Sequence, residues 1–237
     1  GSRGSGDGQF LSVSSVHSVG FLDIDLQGNI YVIDIVNTRI QKFDSSGKYQ
    51  TRWGTQGSGE GQFGEPIDIA VDKQNNIYIG DYENNTVQKF DNTGKFLLRW
   101  GTKGFKAGQF LGIYSIAIDL DGNVLVAEQG GRIQKFDSNG NFLSKIPLEP
   151  IDNRSVGTWN IAVDKQGNIY IIDNNGGFRI VKVDPQGKTL AAWSAIDVGV
   201  KAFQFLLDIA VDGQGNIYLA DTAADTVYKF QQTGFHP

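Results

Sequence analysis

Apolar and polar positions repeat one phrase five times along the chain. In the second occurrence, apolar Ile69-Ala70-Val71 gives way to the polar run Asp72-Lys73-Gln74-Asn75-Asn76, and apolar Ile77-Tyr78-Ile79-Gly80 follows. After Asp81 to Asn85, the segment Thr86-Val87-Gln88-Lys89-Phe90 alternates with a period of two, as a half-buried strand does. Asp91-Asn92-Thr93-Gly94 is a further turn, and Lys95 to Trp100 supplies a fourth strand. The phrase therefore predicts four short strands, here lettered a to d, joined by polar turns.

The copies are aligned by their first turn. Its aspartates are Asp25, Asp72, Asp119, Asp164 and Asp212, spaced 47, 47, 45 and 48 residues apart, and its asparagines are Asn29, Asn76, Asn123, Asn168 and Asn216. Four strands in a unit of about 45 residues is the pattern of a propeller blade. One small meandering sheet cannot bury both faces alone, whereas a radial array packs each sheet between two neighbours. Strand a fits the crowded centre of such an array. Ile69, Ile116, Ile161 and Ile209 are large, and the next residues Ala70, Ala117, Ala162 and Ala210 are small. The first copy departs, with Leu22 and Asp23 at these places. The expectation is one all-β domain over residues 1–237: a β-propeller of about five four-stranded antiparallel blades, with repeat turns at 25–29, 72–76, 119–123, 164–168 and 212–216.

Gly61-Gln62-Phe63 followed by Ile69 to Asp72, then Gly28-Asn29-Ile30-Tyr31 and Asn37-Thr38-Arg39-Ile40-Gln41-Lys42-Phe43, resemble the NHL repeat. The resemblance covers nearly the whole chain. It implies a propeller usually of six blades, and this chain has copies for five. It also implies that the acids ending strand b (Asp34, Asp81, Glu128, Asp173 and Asp221) brace the b–c corner against an arginine. Arg39, Arg132 and Arg179 suit that role, while Thr86 and Thr226 stand there in the other two copies.

The fifth copy reaches Tyr228-Lys229-Phe230 and ends three residues after Gly234, without a strand d. An open edge strand invites pairing. Phe10 to Val16 is similar to the strand d segment Asn141 to Ile146, so residues near 10–16 are expected to close the ring by pairing with the C-terminal segment. The rival is that Gly6-Asp7-Gly8-Gln9-Phe10 copies the loop Gly59-Glu60-Gly61-Gln62-Phe63. The start at Gly-Ser-Arg rather than Met reads as a processed or excised segment of a longer protein.

Composition narrows the chemistry. The net charge of −5 does not favour nucleic acid as a general partner. No apolar run approaches the roughly 18 residues of a membrane span. There is no cysteine, so thiolate metal sites and cysteine nucleophiles are excluded. The two histidines, His17 and His236, lie near opposite termini. They supply neither the several inward-facing histidines of a metal-dependent lyase on a related propeller nor a Ser-His-Asp set. The aspartate turns lack the terminal glutamate of a calcium loop and read as backbone-bonding turns. The glycine-rich run Gly54 to Gly61 lacks the Lys-Ser/Thr pair and the following helix of a phosphate loop. No metal and no cofactor are expected.

Function is sought where the copies differ. Loops b–c and d–a share one face, the top, and vary strongly between copies. Four residues before each turn aspartate stand Phe21, Asp68, Ser115, Asn160 and Asp208, expected around the top mouth of the channel. Tyr114 and Trp159 adjoin them, with Tyr82 and Phe178 from b–c loops. Aromatic rings mixed with carboxylates and amides suit a peptide or a small polar ligand. Lys103, Lys106, Arg154 and Lys201 form a candidate basic strip on the same face, opposed by Glu60, Glu65, Asp68, Glu83, Asp152, Asp197 and Asp208. The reading is a non-catalytic scaffold module that recognises a protein or peptide. RNA binding is the alternative, and a metal-dependent lyase the third. The sequence leaves compartment and oligomeric state open.

Overall fold

The computed structural model describes residues 2–10 and 20–231. Five antiparallel sheets stand around a channel lined by strand a of each. Blade one comprises Leu22–Ile24, Ile30–Asp34, Arg39–Phe43 and Tyr49–Trp53. Blade two comprises Pro66–Val71, Ile77–Asp81, Thr86–Phe90 and Phe96–Trp100. Blade three comprises Ile113–Ile118, Val124–Glu128, Arg132–Phe136 and Phe142–Ile146. Blade four comprises Asn160–Val163, Ile169–Asp173, Arg179–Val183 and Thr189–Ser194. Blade five has three strands among the described residues, Leu206–Val211, Ile217–Asp221 and Thr226–Phe230. Among the described residues no helix is long and apolar enough to cross a membrane.

The cores lie between blades. Strand b sends alternate side chains to opposite faces, so each blade contributes to two cores. Tyr31, Ile33 and Ile40 of blade one meet Ile69, Ile77 and Ile79 of blade two, with Phe63 at the outer end. Ala70, Tyr78 and Val87 meet Ile116, Val124 and Val126, capped by Phe110. Val156 and Phe203 take the capping place at the next two junctions. Each buried isoleucine or phenylalanine contributes about 1.5–3 kcal/mol.

The fifth junction differs. Leu22 and Ile24 of blade one are each 52% exposed, whereas Ile69, the counterpart of Leu22, is 4% exposed. Val227 of blade five is 70% exposed, whereas its counterpart Val87 is fully buried. The facing sides of blades five and one are thus not packed together as the other four pairs are.

The N-terminal segment takes the loop place of the rival reading. Gly8 N–H donates to Gln41 Oε1 and Gln41 Nε2 donates to the Gln9 carbonyl. Gly61 and Gln62 make the same pair of bonds with Gln88, and Gly108 and Gln109 make them with Gln134. Ser2–Arg3 runs parallel to Gln9–Phe10, as Thr55–Gln56 does to Gln62–Phe63. Phe10, expected in the closing strand, is instead opposite Arg3 and stacks on Phe43. Residues 11–16 of the expected closing strand lie outside the described residues, and so do His17 and His236.

Recurrent polar groups are absorbed by the architecture. Asp72 Oδ1 accepts from the backbone N–H of Gln74 and Asn76, and Oδ2 accepts from Asn76 Nδ2 and Tyr78 Oη. Lys89 lies over the Tyr78 ring. Blade three has Leu125 in place of that tyrosine, and there Lys135 reaches Asp119 directly at 2.7 Å. The acids ending strand b are buried, and Arg39, Arg132 and Arg179 pair with Asp34, Glu128 and Asp173. Blade two lacks the arginine. Asn84 Nδ2 serves instead, donating to Asp81 Oδ2 and to the Gly57 carbonyl.

Candidate functional site

Strand a bears a bulge at its top end in blades two, three and five. Asp68 faces Gly80 while Pro66 faces Asp81, so Ile67 has no partner of its own. Tyr114 and Leu207 are skipped in the same way. A bulge re-aims the extra side chain, and these three residues line an apolar cavity of about 340 Å3 at the channel mouth. Trp159 of blade four holds the equivalent place, five residues before its turn aspartate, and also lines the cavity. Phe21, Tyr82 and Glu65 complete the lining.

The rings form a continuous series across four blades. Tyr82 and Tyr114 are nearly parallel with centroids 5.8 Å apart. Tyr114 and Trp159 are 5.0 Å apart, Trp159 and Phe205 5.8 Å, and Phe205 and Phe178 5.5 Å. Such pairs contribute about 0.5–1.5 kcal/mol beyond their burial, so the mouth is held by its own side chains. Gly112 makes room for this arrangement: a Cβ there would come within 2.6 Å of the Tyr82 ring, and its φ of +65° is one that glycine adopts freely.

The polar residues expected at the mouth sit one step deeper and bind one another. Asp68 Oδ2 accepts from Ser115 Oγ at 2.7 Å and from Ile116 N–H at 2.8 Å. Ser115 Oγ accepts in turn from Ile161 N–H at 3.2 Å. Asn160 bonds to Asp208, whose Oδ1 accepts from Ile209 N–H. These links form a belt that ties strand a of one blade to the next. Asp23 adds a link from blade one, its Oδ2 accepting from Val71 N–H at 2.7 Å. The belt lines a second cavity of about 280 Å3 along the channel.

Burial together with the Asp208 charge pushes the Asp68 carboxyl up to about 8. Burial raises Asp208 to about 6, and it also raises Asp23. At the mouth, burial and then the neighbouring Glu83 and Asp81 raise Glu65. Among the described residues no lysine or arginine lines either cavity.

The structure therefore brings Tyr82, Tyr114 and Trp159 together on one cavity and joins Phe178 to them through Phe205. It places Asp68, Ser115, Asn160 and Asp208 beneath, in the belt. Glu65, expected on the top face only as an acid opposing the basic strip, belongs to the mouth with Phe205 and with Ile67 and Leu207, which the repeat pattern did not mark. The signal that could have found Ile67 and Leu207 is the position five before the turn aspartate, apolar in four copies as Ile67, Tyr114, Trp159 and Leu207. Lys103, Lys106, Arg154 and Lys201 are exposed and spread over three successive d–a connections. Arg154 donates to the Gly176 carbonyl. Among the described residues, no group of three or more histidine, aspartate or glutamate side chains is placed to hold a metal ion.

Residues 63–90, which run from the capping Phe63 to the end of strand c in blade two, match the NHL repeat family. No curated protein matches the chain at a significant level. Solved structures resemble it in fold. The nidogen/laminin complex aligns at TM-score 0.68 with 18% identity, over 92% of this chain and 80% of that one. Virginiamycin B lyase from Staphylococcus aureus aligns at TM-score 0.64 with 12% identity, over 94% and 73%. Hydrazine synthase of Kuenenia stuttgartiensis aligns at TM-score 0.63 with 13% identity, over 93% and 70%.

Proposed function

For a chain that carries the NHL repeat in a five-bladed β-propeller, we propose that it is a non-catalytic binding module. It recognises a protein or peptide with the top face, at the aromatic mouth of its channel. The observation that carries this reading is the apolar cavity of about 340 Å3 with Tyr82, Tyr114 and Trp159 in its wall. Large amphipathic rings held rigid by their neighbours present contact area at little entropic cost, which is the pattern of interface hot spots. The belt beneath fixes the rings by tying strand a of neighbouring blades together, so the surface is preorganised.

The shared fold does not select among activities, because function resides in the site grafted on it. Structural neighbours include a nidogen/laminin complex as well as a lyase and a synthase. Among the described residues the titratable side chains lining the mouth cavity are Glu65, Tyr82 and Tyr114, with no nucleophile set beside a base. This supports recognition rather than catalysis. RNA would call for a joined basic surface, and the four candidate cations are dispersed.

A displayed library of random peptides, selected on the intact chain, tests the reading. Binders are expected to lose about tenfold or more in affinity on Tyr82→Ala or Trp159→Ala, and to keep it on Lys165→Ala in a bottom turn. Calorimetry reads the affinities, and circular dichroism confirms that each variant is folded. Binders insensitive to both mouth substitutions would defeat the proposal.

A further inference from the structure

The chemistry of the mouth points to the charge of what enters it. Among the described residues Glu65 is the one charged side chain in the lining of the upper cavity. Asp81 adjoins it, its Oδ1 accepting from the Glu65 N–H at 3.1 Å, and Glu83 lies against Gly64. Directly below, the belt carries Asp68 and Asp208, with Asp23 nearby. Among the described residues no cationic side chain lines either cavity. The other walls are the rings of Phe21, Tyr82, Tyr114 and Trp159, with aliphatic Ile67 and Leu207 beside them, and aromatic ring faces carry the negative part of the quadrupole. A low-dielectric concavity lined by one sign of charge focuses that potential outward. Anions are repelled there, and a neutral apolar group leaves the potential uncompensated. An organic cation over the rings, within reach of Glu65, satisfies both components.

We propose that the group entering the mouth is a cation, the lysine or arginine side chain of a peptide ligand. This inference rests on the top-face reading above and specifies what that face selects. The aliphatic stem of such a side chain would lie along Ile67, Leu207 and Phe21, and its charged head against Tyr82, Tyr114, Trp159 and Glu65. The buried Asp68 is already engaged by Ser115 and two backbone N–H groups, and burial keeps its carboxyl protonated near neutral pH, so it is not a direct partner and the charge that meets the ligand comes from Glu65 at the rim.

Three blocked pentapeptides with the central residue lysine, norleucine or glutamate, on an otherwise glycine-serine frame, test this by calorimetry at low salt. The lysine peptide is expected to bind at least tenfold more tightly than the norleucine peptide, and the glutamate peptide most weakly. Glu65→Gln, a change at an exposed position that leaves the fold undisturbed, is expected to weaken the lysine peptide about 3-fold to 30-fold and leave the norleucine peptide unchanged. Equal binding of lysine and norleucine, or no effect of Glu65→Gln, would overturn the cation while leaving the top-face reading standing. Tetramethylammonium binding as tightly as the lysine peptide would overturn the peptide as its source. If none of the three peptides binds, the cation proposal falls, and the library selection alone then decides the top-face reading.

Discussion

Asp68 shows how one buried residue serves the framework before it serves a ligand. Its two oxygens take three hydrogen bonds, from Ile69, Ser115 and Ile116. Burial and the Asp208 charge nevertheless raise its carboxyl from 3.8 to about 8. A carboxyl that holds its proton more tightly folded than unfolded favours folding in acid. That contribution is complete below the unfolded value and is lost as pH rises through the folded one. Between pH 4 and 8 the wild type should therefore lose stability relative to Asp68→Asn, which keeps a neutral side chain. The change is at most about 1.4 kcal/mol per pH unit. Urea denaturation of both proteins across that range measures it, and a difference independent of pH would contradict it. The same residue marks a limit of sequence reading. Polar character four positions before the turn aspartate was legible, but its direction was not. The bulges at Ile67, Tyr114 and Leu207 turn the preceding side chain to the mouth and leave Asp68, Ser115 and Asp208 to the belt. A bulge is set by pairing across two strands, and nothing local in the strand a sequence announces it.

Within a blade, the repeat is legible because each recurring residue answers a constraint that recurs. The c–d turn glycines are an example. Gly94 has φ +88°, and a Cβ there would come within 2.6 Å of the Trp53 ring of the preceding blade. Gly47 has φ +80° at the equivalent turn, with open space around it. Gly47→Ala should then cost only the left-handed backbone, about 1 kcal/mol. Gly94→Ala adds the clash with the indole and should cost about 2–4 kcal/mol. Equal losses on thermal denaturation would show that Trp53 yields at no expense. The period also made the strands and their turns readable, with boundaries close to those observed. The N-terminal segment was the ambiguous element. Residues 10–16 resembled a strand d and residues 6–10 a d–a loop, and the bonds of Gly8 and Gln9 to Gln41 place residues 6–10 as the loop. Short local similarities could not choose between the two, since the deciding partner of the loop is 32 residues away.

For the molecule as a whole, four blade junctions are closed by the described residues and the one between blades five and one is not. Val87 and Val227 occupy the same place in strand c, yet the first is fully buried and the second 70% exposed. Val87→Asp should cost more than about 4 kcal/mol, because it buries an unpaired charge. Val227→Asp should stay within about 0.5 kcal/mol. Comparable losses in urea melts would mean that another surface covers Val227 in solution. The count of five blades was legible from the repeat, but the exposed faces of blades one and five were not: Leu22 and Val227 are apolar like their buried counterparts Ile69 and Val87, and only the assembled ring leaves them uncovered. The aromatic mouth was only half legible, because its rings come from b–c loops, d–a connections and bulged positions that meet only when the blades are assembled.

The central claim is that this mouth is the recognition surface. Hydrogen exchange of the intact chain with a library-selected peptide tests it most directly. The account predicts slowed exchange at residues 64–67, 82–84, 112–115 and 157–160, with the bottom turns at 25–29, 72–76, 119–123, 164–168 and 212–216 unchanged. Protection confined to those bottom turns, with the mouth unaffected, would contradict it.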